Sequence, residues 1–190
     1  MKKFHEVMEN QSYELTGKNT QHQCFCGCLS QDTLITLADG TSKRIDEIMV
    51  GERVICEENR IGTVSEIVTG YADENLICIE TENGCRLRCT GDHPVATEYK
   101  YIKASQVKDD MTLIGINGHP IWIKAVYPVP GSKVYNLIIE TQEGEGSFFA
   151  QGVLVGDYVM ENKLNGKNRN GENELSQEQQ DLLKMLSSML

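Results

Sequence analysis

Cys28-Leu29-Ser30-Gln31-Asp32-Thr33-Leu34-Ile35-Thr36-Leu37-Ala38-Asp39-Gly40-Thr41, continued by Lys43-Arg44-Ile45-Asp46-Glu47-Ile48-Met49-Val50-Gly51-Glu52-Arg53-Val54, is the stretch that decides the fold. Thr33–Leu37 is a β-type run, and Asp39-Gly40 ends it with a pair that tolerates positive φ, as a two-residue hairpin turn requires. Lys43–Ile48 suggests a brief helical turn, and Arg53–Cys56 a second strand. The same texture continues through Gly62–Val68, Leu76–Glu80, the turn Glu82-Asn83-Gly84, Arg86–Cys89, Met111–Ile116, Ile121–Val126, Val134–Glu140 and Phe148–Val155, with one more helical turn at Ala104–Val107. Strands this short and this numerous predict an all-β body of antiparallel strands ending near Val155. No internal repeat is strong enough to assert.

Outward from this body the chain changes character. Residues 1–23 are polar, and Phe4, Val7, Met8, Tyr13 and Leu15 are too scattered to cover a core, so residues 1–27 read as a leader. The body spans residues 28–157 and a linker 158–174, in which Asn165-Gly166-Lys167-Asn168-Arg169-Asn170-Gly171 is flexible by composition. Residues 175–190 then form a helix: Ser176 and Gln179 make a capping box, and Leu182, Leu183, Leu186, Met189 and Leu190 fall on one stripe. Such a short helix is marginal alone, so its apolar side packs either on the domain or on a partner protein.

Of the 190 residues, 18 are basic and 28 acidic, a net charge of −10 that supplies no basic footprint for nucleic acid or anionic lipid. No run reaches the ~18 apolar residues of a membrane span, and Lys2-Lys3 lead into His5, Glu6 and Glu9 with no signal core, which predicts a cytoplasmic product. Seven cysteines, an odd number, lack the spacing of a disulfide framework; Cys56, Cys78, Cys85 and Cys89 read as reduced, mostly packed thiols.

Four stretches carry the chemistry. The opening one, quoted above, is similar to the first motif of Hint (hedgehog/intein) domains: a Cys begins the domain, a strand and an Asp-Gly turn follow, and an I-x-E-I-x-x-G-x-x-V segment comes next. Cys89-Thr90-Gly91-Asp92-His93-Pro94-Val95 resembles the family's Thr-x-x-His motif. Val134-Tyr135-Asn136-Leu137 and Phe148-Phe149-Ala150-Gln151-Gly152-Val153-Leu154-Val155 resemble the two closing motifs. All four occur in family order over roughly residues 28–157, which identifies a bacterial intein-like variant and implies the horseshoe-shaped, all-β Hint fold.

What the resemblance implies is self-processing. Cys28 would attack the carbonyl of Gly27 through a five-membered ring and turn the amide into a thioester, with intramolecular geometry replacing the entropic cost of encounter. The shift runs uphill, so the leaving nitrogen needs a proton and the oxyanion needs stabilisation. His93 would supply the proton and Thr90 would hold the scissile peptide; Asp92, by adjacency, is a candidate for orienting His93. The substrate is the chain's own leader, water or an external nucleophile resolves the thioester, and no cofactor is called for. His5, His22 and His119 have no such context and read as surface groups.

The sequence departs from the family at its end. Complete inteins finish in His-Asn before Cys, Ser or Thr; here Gly156-Asp157-Tyr158 stand in those places. Glycine moves no proton, Asp lacks the amide nitrogen that cyclises, and Tyr158 is a poor acyl acceptor, so splicing is expected to fail. Asn136 falls where many members carry Asp, and Gly146 near where they carry a second His. The expected product is release of residues 1–27, with a slow cut before Tyr158 by Asp157 attacking its own carbonyl as the lesser route.

Two rival readings stand beside this one. An inactive Hint scaffold would display the leader and the C-terminal helix to a partner. A metal-binding module would use Cys24, Cys26 and Cys28, whose alternating spacing turns the outer pair to one side of an extended segment; a metal or disulfide there would also silence Cys28.

Overall fold

A computed structural model describes residues 19–21, 28–142 and 146–167 of the chain. Its strands, in chain order, are β1 (Asn19–Gln21), β2 (Leu29–Ser30), β3 (Leu34–Thr36), β4 (Ser42–Arg44), β5 (Arg53–Ile55), β6 (Ile61–Tyr71), β7 (Leu76–Thr81) and β8 (Arg86–Cys89). They continue as β9 (Pro94–Ala96), β10 (Tyr101–Lys103), β11 (Thr112–Ile114), β12 (Pro120–Val129), β13 (Lys133–Glu140), β14 (Ser147–Ala150) and β15 (Val153–Gly156), before one helix, α1 (Tyr158–Leu164). Single 3-10 turns occupy Ile45–Glu47, Glu57–Asn59 and Ala104–Gln106.

The strands form two sheets. A nine-stranded sheet runs β1-β6-β13-β2-β8-β7-β12-β11, with β5 also on β6, and a six-stranded sheet runs β10-β9-β15-β14-β3-β4. Pairing is antiparallel except for β1, which lies parallel to β6 with Asn19 opposite Ile67 and Gln21 opposite Thr69. The all-β prediction is met, and the structure has the antiparallel character of the Hint fold.

The turn signals place the hairpins. Asp39 is followed by Gly40 at φ 82 and Asn83 by Gly84 at φ 85, and Asp39 Oδ1 accepts from the Thr41 N–H at 2.9 Å. One hairpin escapes the sequence reading: Phe148–Val155, read as a single run, folds back between β14 and β15. Gln151 and Gly152 take φ 52 and 75, the doubly positive turn that matches strand twist. A glutamine in the left-handed region carries no signal, whereas Asn or Asp in that place would have shown the turn.

A repeat that the sequence hides is visible in the element order. The succession β3, β4, 3-10 turn, β5, β6, β7 recurs as β9, β10, 3-10 turn, β11, β12, β13, apart from the further 3-10 turn Glu57–Asn59 between β5 and β6, and the isolated bridges Leu37↔Val54 and Thr97↔Leu113 stand at matching places.

β13 is the spine of the larger sheet. It pairs with β6 from Lys133↔Tyr71 to Glu140↔Thr63, and Val134 through Ile139 are all buried, as a strand covered on both faces requires. The main core gathers Leu29, Ile35, Ile79, Leu87, Val95, Leu137 and Phe148. At the end of β15 the segment read as linker begins instead with α1: Asp157 has extended backbone and its side chain accepts from the Met160 N–H, an N-cap. Tyr158, Met160, Glu161 and Asn162 face inward and are buried. The Ser176–Leu190 helix lies outside the described residues. Among those described, no helix is long and apolar enough to cross a membrane.

Phe148 is fully buried in the main core. Phe148→Ala is expected to lower unfolding free energy by about 3–5 kcal/mol. Urea denaturation followed by fluorescence measures this, and a loss below about 1 kcal/mol would contradict the core assignment.

Candidate functional site

β2 is only two residues long, yet it is hydrogen-bonded on both sides. Leu29 stands opposite Tyr135 of β13 and opposite Cys89 of β8. Continuing both registers by one residue sets Cys28 between Asn136 on one side and Thr90 on the other. Directly opposed antiparallel residues point to the same face, so the Cys28 and Asn136 side chains share one.

Thr90 grips Cys28 twice. Its backbone N–H donates to the Cys28 carbonyl at 2.9 Å, and its Oγ1 accepts from the Cys28 backbone N–H at 2.7 Å. The backbone nitrogen of Cys28 is thus fixed by a side chain 62 residues away. The turn that follows brings the imidazole: the His93 N–H donates to the Thr90 carbonyl at 3.2 Å, while Ser105 N–H and Ala104 N–H donate to the Gly91 and His93 carbonyls at 2.8 and 2.9 Å. The 3-10 turn Ala104–Gln106 therefore clamps the Thr-x-x-His loop. His93 is fully buried.

Asp92 goes elsewhere. Its carboxylate, half-exposed, pairs with Lys103 Nζ at 2.9 Å on β10, at the rim of the site. Gly27, Cys24 and Cys26 lie outside the described residues. Among those described, no three His, Cys, Asp or Glu side chains are gathered as a metal would need. His119 is exposed; His5 and His22 lie outside the described residues.

The Cys28 thiol is 1% exposed and packs with Val68, Leu76, Val134, Ile138 and Tyr158. Burial pushes its pKa well above the usual 9.0, and the neighbouring Glu161 and Cys89 push it further. At neutral pH it is a thiol, not a thiolate.

Sequence reasoning missed Glu161, because residues 158–174 read as linker. α1 carries it inward, 1% exposed, and Asn136 Nδ2 donates to its Oε2 at 2.9 Å. The available signal was Asp157 as an N-cap, followed by inward residues at i, i+3 and i+4 spacing: Tyr158, Glu161 and Asn162.

Asp157 and Gly156 have structural work. Asp157 Oδ1 accepts from Met160 N–H at 2.9 Å and Oδ2 from Ile139 N–H at 3.0 Å. A Cβ on Gly156 would stand 2.4 Å from Met160 Sδ and 2.9 Å from Pro94 Cβ, and one on Gly146 would stand 2.1 Å from Asp157 Oδ2. No side chain fits at either glycine without moving α1 or its cap.

No protein-family model and no curated protein sequence matches the chain. Solved structures do. The gp41-1 intein superposes with a TM-score of 0.61 at 19% identity, over 68% of this chain and 98% of that one. A DnaB intein from Synechocystis sp. PCC 6803 gives 0.58 at 17%, over 69% and 98%. A bacterial intein-like domain from Clostridium thermocellum gives 0.59 at 19%, over 70% and 99%. The fold of this chain is the intein Hint fold.

Two outcomes follow from the geometry. Asp157→Ala removes the cap and strands a buried Ile139 N–H, an expected cost of roughly 2–4 kcal/mol, readable by urea denaturation. The second concerns pH. Burial holds the Cys89 thiol at about 12 and Cys56 at about 11, both above the 9.0 of an exposed thiol. The unfolded chain therefore loses these protons first, and stability falls as pH rises from about 9 toward the folded values. The slope approaches about 1.4 kcal/mol per pH unit for each fully buried thiol. Melting curves between pH 8 and 11 measure it, and Cys89→Ala should flatten the decline.

Proposed function

We propose that this chain is a self-processing domain that cleaves the Gly27–Cys28 bond by an N–S acyl shift and does not splice. The observation that carries the reading is the 2.7 Å hydrogen bond from the Cys28 backbone N–H to Thr90 Oγ1: the nitrogen that must leave is the atom the Thr-x-x-His loop holds. The order of motifs and the intein fold support it. Cys28 Sγ adds to the Gly27 carbonyl carbon, the C–N bond of the tetrahedral adduct breaks as His93 protonates the nitrogen, and a thioester and a free Cys28 amine result. Water or an external thiol then releases residues 1–27.

The C-terminal half-reaction is absent from this reading. Gly156-Asp157 stand where splicing relatives carry His-Asn, and Asp157 has no amide nitrogen with which to cyclise. Both of its carboxylate oxygens accept backbone N–H groups, so the lesser route, attack by Asp157 on its own carbonyl, would first have to give up the α1 cap. Asp92, which pairs with Lys103, is given no part in orienting His93 in this reading.

The mass of the purified chain incubated with excess thiol tests the proposal. Loss of residues 1–27 is expected from the parent, none from Cys28→Ala, and a rate lowered by about 10²-fold or more in His93→Ala. Thr90→Val should slow release roughly tenfold or more, because the Cys28 N–H loses its acceptor. An intact parent mass after prolonged incubation favours the inactive scaffold, and a metal-shifted native mass favours the cysteine module.

A further inference from the structure

We propose that one edge of β6 is a docking site for the chain's own leader, and that Asn19–Gln21, seated there as β1, positions the Gly27–Cys28 bond for the acyl shift. The inference rests on the cleavage reading above and adds a substrate contact to it.

β6 has two edges, and β13 runs along one of them from Thr63 to Tyr71. On the other, β5 pairs only with Ile61–Thr63, and the backbones of Gly51 and Glu52 carry that ladder to Val64. A bulge follows. Glu66 and Val64 stand opposite Ile138 and Ile139, so Ser65 is the extra residue, and its hydroxyl donates to the Ile138 carbonyl at 3.2 Å. A bulge bends its strand and ends a pairing. Beyond it the backbone of Ile67, Val68 and Thr69 offers an edge, the template for an added strand. Among the described strands, the one that takes this edge comes from upstream of Cys28: Asn19, Thr20 and Gln21 lie opposite Ile67, Val68 and Thr69.

The register ties this contact to the scissile bond. Gln21 is opposite Thr69, Thr69 opposite Tyr135 and Tyr135 opposite Leu29, so Gln21 and Leu29 stand at one level, with β6 and β13 between them. β1 is parallel to β6, and both β6 and β2 are antiparallel to β13, so β1 and β2 run the same way. Joining two such strands ordinarily takes a dozen or more residues; here residues 22–27 are all there is. At about 4.8 Å per strand the ends lie about 14 Å apart across the sheet, against an extended reach of about 24 Å. The connection that carries the Gly27 carbonyl is thus anchored at both ends, by β6 before it and by Thr90 after it. Pairing remote from the reacting atoms is in this way converted into orientation at them. Three paired residues make few hydrogen bonds, each worth little net of water. Covalent attachment keeps the leader at high effective concentration over the edge, so the docking lasts while the bond is intact and lapses once it is cut.

The full chain is followed by mass spectrometry for release of residues 1–27 at neutral pH, with saturating hydroxylamine so that the acyl shift limits the rate. Alternate residues of a strand turn their N–H to the same neighbour, so Thr20→Pro with Gln21→Pro removes a donor to β6 whichever of the two faces it. This variant is expected to release the leader about tenfold more slowly or worse. Six Gly and Ser residues inserted between Gln21 and His22 leave β1 intact but slacken the connection, and should slow release by a similar factor; a strand that merely covered an edge would leave this rate unchanged. Gln11→Pro with Ser12→Pro, upstream of β1, should match the parent. Amide hydrogen exchange in Cys28→Ala, where the leader stays attached, reads the docking without cleavage. The Ile67–Thr69 amides that face β1 should exchange at least about tenfold faster once Thr20→Pro and Gln21→Pro are added, with β7 unchanged. Release by the parent, with either the double proline or the insertion within about threefold of it, or with exchange on β6 unaltered, removes this inference alone. No release by the parent removes the cleavage reading and the positioning role with it.

Discussion

The double hydrogen bond between Cys28 and Thr90 is the constraint on which the rest of the site depends. A two-residue strand has little stability of its own, and buried backbone groups must be paired. β2 meets that requirement by inserting between β13 and β8, and the Thr90 hydroxyl takes the one N–H that would otherwise lie beyond the end of the ladder. Cys28 is thereby drawn into the middle of a nine-stranded sheet, with its thiol buried and with the buried His93 tied by its backbone to the same Thr90.

The far end of the domain closes over the same place. β15 delivers Gly156 and Asp157 to the start of α1, and Asp157 ties that helix to β13 through the Ile139 N–H. Tyr158 then joins the cluster that holds Cys28, and Glu161 accepts from Asn136 of β13. Residues that look like a decayed splice junction are a helix cap in the geometry. The two glycines nearby are small because the cap and Met160 fill their space.

Much of this was legible in the sequence, and the failures have physical causes. Asp39-Gly40 and Asn83-Gly84 announced their hairpins, since their φ preference is intrinsic to the residues. Gln151-Gly152 did not, because there tertiary pairing of β14 with β15 overrides a weak local preference. The repeated half-domain was invisible because the order of strands and turns carries it, not the side chains. The motif order singled out Cys28, Thr90 and His93, but the contact of Cys28 with Thr90 spans 62 residues, which no local spacing encodes. Glu161 escaped because α1 is only seven residues long and runs into an Asn-Gly stretch that resembles linker by composition. Asp157 as an N-cap and the inward spacing of Tyr158, Glu161 and Asn162 distinguished it.

The central claim is that the Cys28 sulfur takes the Gly27 carbonyl from the nitrogen Thr90 holds. The chain contains two Gly-Cys bonds, Gly27–Cys28 and Gly84–Cys85, so labelling glycine carbonyls with carbon-13 and cysteine nitrogens with nitrogen-15 gives the reacting bond and an internal reference in one NMR spectrum. The account predicts that one of the two carbonyl signals loses its coupling to nitrogen and moves from the amide to the thioester range, and that this change is missing in Cys28→Ala. Two carbonyls that both remain coupled amides in the folded chain, however long it is incubated, would contradict it.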